Sequence, residues 1–181
     1  MLLVFSLINE LLSLAFYEAY GNNAILHHIF SIVEILLTSY YFISALAPKR
    51  ISRWMAVVTV IWPVLGAINI IWLQSVRQLN SYMLLAESFS ITVMSMYALY
   101  RIMINDTIVN IFRHPHFLFA SMQLLLWSST FFFWGFGVFL IYNGWKYSNL
   151  MMNLNILINI ISYSLASIGF LSYPSLKYRV K

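Results

Sequence analysis

The chain contains no cysteine, and only 8% of its 181 residues are charged. The first absence excludes a disulfide framework, a thiolate nucleophile and any metal site built on cysteine. The second, set beside 62% hydrophobic residues and a mean hydropathy of +0.82, excludes an ordinary soluble domain. Catalytic signatures are missing too: there is no HExxH, GxSxG, Walker A or dinucleotide fingerprint. No enzyme and no cofactor are therefore expected. No apolar segment carries a lysine for a retinal Schiff base. The first residues lack a basic cluster and carry Glu10 inside their apolar run, which does not match a cleaved signal peptide.

The apolar material comes in long segments rather than in alternation, so the expected fold is all-α, a polytopic transmembrane helical bundle. Six spans are predicted, at 2–17, 24–46, 54–73, 80–103, 115–142 and 150–171, forming one transmembrane domain over 1–181 with a basic cytoplasmic tail at 172–181. The net charge of +5 reads as a topology signal, not as a nucleic-acid footprint. With alternating spans, Lys49, Arg50, Arg53, Arg101, Arg113, Lys177, Arg179 and Lys181 fall on one side, and Arg77 and Lys146 on the other. That bias predicts a multi-pass protein of the inner (cytoplasmic) membrane with a cytoplasmic C-terminus.

Turn chemistry separates the segments: Gly21-Asn22-Asn23, Pro48 and Asn143-Gly144 suit connections, and Pro115 suits a first helical turn. The mixed stretch 104–114 is expected to lie along the inner interface. In the third span, Trp62-Pro63 and Gly66 predict a kink or a close helix approach.

The most informative segment is 27–45. His27, Ser31, Glu34, Thr38 and Tyr41 recur at steps of four, three, four and three, so they share one helical face. A carboxyl inside a lipid-embedded helix is costly and marks a functional site by default. Glu34 therefore anchors the candidate site. Counted from the predicted outer ends at helical rise, Glu10 lies roughly 13 Å deep, Glu34 roughly 15 Å and Glu87 roughly 10 Å. Asn69, Asn155 and Asn159 fall in the same half. No Lys or Arg interrupts the interior of any span, so these carboxyls either carry protons or take a cation from outside.

His27 shares the Glu34 face, and His27, His28 and Glu34 form a candidate metal set. His114 and His116 are expected at the opposite membrane face. Two further stripes stand out. Asn155, Asn159, Ser162, Ala166 and Gly169 suit a close, hydrogen-bonded helix contact, and Gln123, Trp127, Thr130, Trp134 and Gly137 share a face of the fifth span.

The segments ELLSLAFYEAYGNNAILHHIFSIVEILLTSYYF, LNSYMLLAESFSITVMSMYALY and NILINIISYSLASIG resemble a group of small multi-spanning membrane proteins of Bacteroidota-type bacteria. That resemblance implies a seven-span architecture of which this chain lacks the first helix. It implies no activity, and no site residue is carried over from it.

Two functions fit these residues. One is a small transporter or channel-like carrier for a proton, a metal ion or an amine-bearing solute, with Glu34 central and Glu10 and Glu87 supporting. The other is a membrane sensor or accessory subunit that binds a ligand, lipid or signalling partner. The expected partners are the lipid bilayer, a proton, cation or amine, and a membrane-protein partner or second copy, with no nucleic acid.

Overall fold

The computed structural model describes residues 2–46, 49–75, 80–104, 111, 114–142 and 148–177, with side chains left out near several helix ends and at Glu10. The expected turns at Pro48 and Asn143-Gly144, most of the stretch 104–114 and the end of the basic tail lie outside the described residues. What is described is all helical: α1 (Leu2–Tyr20), α2 (Ala24–Leu46), α3 (Lys49–Ile68) running into a π-helical turn (Asn69–Leu73), α4 (Ser81–Met103), α5 (Pro115–Tyr142) and α6 (Ser148–Lys177). No strand occurs among the described residues. Ala24–Ser44, Ser81–Met103 and Pro115–Phe136 are long and apolar enough to cross a bilayer, while Thr59–Leu73 and Asn153–Gly169 are shorter apolar helices.

The chain forms two compact units, 1–87 and 88–181, with α4 continuous through the boundary. In the first unit, Gly21 takes a left-handed backbone (φ +69°) and its N–H returns to the Tyr17 carbonyl at 2.8 Å, closing α1. Asn22 Oδ1 then accepts from the Ala24 amide at 2.8 Å at the start of α2. Ser13 meets His27 and Phe5 stacks on Phe30, eight residues of α1 against three of α2.

α3 packs on α2 through Gly66, where an added Cβ would stand 2.5 Å from Ile32 Cδ1 and 2.9 Å from Ile32 Cγ1. The close approach expected at Gly66 is present, and α3 runs helically through Pro63. In the second unit, α5 starts at Pro115, and α6 lies against it where Gly169 would bring a Cβ within 3.2 Å of Leu118 Cβ. Ser162 and Ala166, on the same stripe, are buried. α6 continues through Pro174 to Lys177, so the first part of the expected tail is helix.

Burial follows an unusual pattern. Asn9, Ser13, Ser31, Thr38, Ser39, Asn69, Glu87, Ser95, Gln123 and Ser162 are buried, whereas Leu11, Leu14, Val60, Ile71, Trp72, Leu154 and Ile160 are exposed. In water this would waste apolar surface and enclose polar groups. In hydrocarbon the outward apolar side chains cost nothing, and polar groups are better placed inside, where Ser31 and Glu87 or Asn69 and Asn80 bond to one another.

Candidate functional site

The buried face of α2 carries Ala24, His28, Ser31, Ile35, Thr38, Ser39 and Phe42. The polar stripe read from the sequence is therefore rotated by roughly a quarter turn from the buried face. Ser31 and Thr38 belong to both, whereas His27, Glu34 and Tyr41 lie on its flank and are half-buried. Among the described residues, the most enclosed carboxyl is Glu87, 1% exposed. It sits two turns into α4, and the Ser31 hydroxyl donates to its Oε2. Glu87 Oε1 is buried without a hydrogen-bond partner. Glu34 is close enough to act on Glu87 electrostatically, so two carboxyls and a hydroxyl share one neighbourhood.

The depth count explains this meeting. Ser31 is seven residues into α2 and Glu87 six into α4, about 10 Å from the respective helix starts. One turn beyond Glu34 on α2, Thr38 is fully buried and its hydroxyl has no partner.

Asn69 has a different setting. It opens the π-helical turn, which closes when the Gln74 N–H donates to the Asn69 carbonyl at 2.7 Å. Its side chain donates to Asn80 Oδ1 at 2.9 Å, Gln74 Nε2 donates to Ser81 Oγ at 2.8 Å, and the Tyr82 N–H donates to Gln74 Oε1 at 3.3 Å. These bonds fasten the end of the π turn to the first turn of α4. Asn69 acts here as a clasp residue beside Gln74 and Asn80, neither of which stood out in the sequence. The five-residue gap between Asn69 and Gln74 is the period of a π turn, and hydropathy does not register it.

His27 Nε2 lies 3.3 Å from Ser13 Oγ, which accepts from Asn23 Nδ2 at 2.5 Å. His28 is on the adjacent, buried face. Among the described residues no three of His, Asp and Glu gather as a metal set, so His27, His28 and Glu34 are not brought together as ligands. The side chain of Glu10 lies outside the described residues. Asn155 and Asn159 belong to α6 in the second unit and are half-buried, with Asn159 lining a shallow groove on α6 beside Tyr163, Ser164 and Ser167. On α5, Gln123 and Trp127 are buried, while Thr130 returns its hydroxyl to the Leu126 carbonyl at 2.8 Å.

At the start of α5, the His114 and His116 rings lie 5.3 Å apart. Burial holds the His114 imidazole below its ordinary pKa.

No family model, curated protein or solved structure matches the chain.

Proposed function

We propose that this chain is a multi-pass protein of the inner membrane that carries a small cation, a proton, a metal ion or an amine, through a site at Glu87, Glu34 and Ser31. The observation that carries this reading is the enclosure of Glu87, with one oxygen bonded by Ser31, the other without a partner and a second carboxyl within electrostatic range. A buried carboxyl pair is costly when both members are ionised, and α2 and the outer part of α4 contain no Lys or Arg to offset the charge. A positive ligand removes that cost. The polar-in, apolar-out pattern supports the membrane setting.

The accessory-subunit reading draws on the exposed face of α6, where Asn159 and Tyr163 line a groove. Purified full-length protein in detergent, screened across pH, cations and amines, tests the carrier reading. A ligand of the site raises the melting temperature by mass action, and Glu87→Gln removes that rise. Stabilisation that is unchanged in Glu87→Gln would place the ligand elsewhere.

A further inference from the structure

We infer that the Glu34–Glu87 pair holds one exchangeable proton, that Ser31 relays it, and that the cargo of the proposed carrier is the proton itself. This inference rests on the reading of the pair as a cation site and narrows it.

Three observations favour the proton. The first is ligand number: a Zn²⁺ site takes about four donors, drawn mainly from His, Cys, Asp and Glu. Glu87 has Ser31 and Glu34 beside it, and no third His, Asp or Glu joins them among the described residues. The second is enclosure. Glu87 is 1% exposed, so a hydrated ion or an ammonium group reaches it only after the surrounding side chains part, whereas a proton needs only a hydrogen-bonded chain. The third is the path. Ser31, Glu34 and Thr38 follow one another at steps of three and four on α2, and the fully buried Thr38 hydroxyl has no protein partner. That hydroxyl is the next hydrogen-bonding group along α2 from the carboxyls.

The transfer balances simply. As Ser31 Oγ accepts an incoming proton, its own O–H bond breaks and an O–H bond forms on Glu87 Oε2. Ser31 is left neutral, the carboxylate becomes a carboxylic acid, and no electron changes hands. Around this pair, the titratable groups on α2 are His27, His28, Glu34, the exposed Tyr40 and Tyr41, while the outer part of α4 adds Glu87 and the exposed Tyr82. The described side chains of α3 include none, and α1 has exposed Tyr17, Glu18 and Tyr20, with Glu10 not described.

Two measurements on the full chain test this. Infrared difference spectra of wild-type protein should show the carbonyl band of a protonated carboxyl group near neutral pH, and Glu87→Gln should lack it. In proteoliposomes with an internal pH dye, a potassium diffusion potential should drive proton entry. Glu87→Gln should slow that entry roughly a hundredfold, the scale of losing a positioned proton-transfer group, and Ser31→Ala should slow it while keeping the band. Stabilisation by Na⁺, Ca²⁺, Zn²⁺ or ethylammonium that Glu87→Gln abolishes, with no proton entry, would overturn the proton inference and leave the carrier reading standing. Absence of the band, of proton entry and of any cation response in wild-type protein would overturn both. The wild-type spectrum decides even if Glu87→Gln fails to fold.

Discussion

Gly66 of α3 faces Ile32 of α2 so closely that a methyl group at Gly66 would stand 2.5 Å from Ile32 Cδ1. A Cβ at this position would have to displace the Ile32 side chain, one residue after Ser31.

Gly66→Ala should therefore destabilise the first unit by about 1–3 kcal/mol, the range for overpacking a tight contact. The readout is the melting temperature in detergent. Ile32→Val removes the nearest atom, so the double variant should recover part of the loss. Additive losses would show that the contact does not limit the packing.

The clasp at the α3–α4 connection gives a second expectation. Asn80→Ala removes the acceptor for Asn69 Nδ2 and leaves that buried amide without its 2.9 Å partner, at a cost of about 1–3 kcal/mol. Asn80→Asp keeps an acceptor and should lose less. Hydrogen exchange should speed up at the first turn of α4 in Asn80→Ala, and exchange identical to wild type would contradict the clasp.

Helix positions were largely legible because apolar runs and turn residues mark them. α2 and α5 start and stop at the predicted residues, Ala24 and Leu46, Pro115 and Tyr142. The misses have physical causes. Hydropathy weighs only the apolar stretch, so α3 begins earlier, at Lys49, and α6 extends to Lys177. The π turn at Asn69 was invisible because a change of backbone period leaves composition untouched. In the site, the stripe on α2 puts Ser31 and Glu34 one turn apart, but periodicity does not say which edge of a polar face turns inward. That choice depends on where α3 and α4 pack. Of the two carboxyls expected in the interior and described, Glu87 is enclosed and Glu34 is half-buried.

His114 sets an expected pH dependence. Burial lowers its pKa from 6.5, so between the two values the unfolded chain binds a proton that the folded chain does not. Stability from this residue is fully present above about 6.5 and is lost as pH falls from there toward the lowered folded value. The melting temperature should drop over that window, and His114→Gln should flatten the drop. An equal drop in the variant would assign it to other groups.

Topology can be read with introduced thiols, because the chain has no cysteine of its own. In intact cells, an impermeant maleimide should label Tyr20→Cys at the exposed end of α1 and should reach Lys181→Cys only after permeabilisation. The reverse pattern would overturn the assignment of the C-terminus to the cytoplasm.

The carrier reading is tested most directly by charge movement on a solid-supported membrane loaded with proteoliposomes. Proton or cation concentration jumps applied to wild-type protein should give a transient current, and the same jumps applied to folded Glu87→Gln should give none. Equal currents from the two proteins, or no current from wild-type protein under any jump, would contradict the role assigned to Glu87.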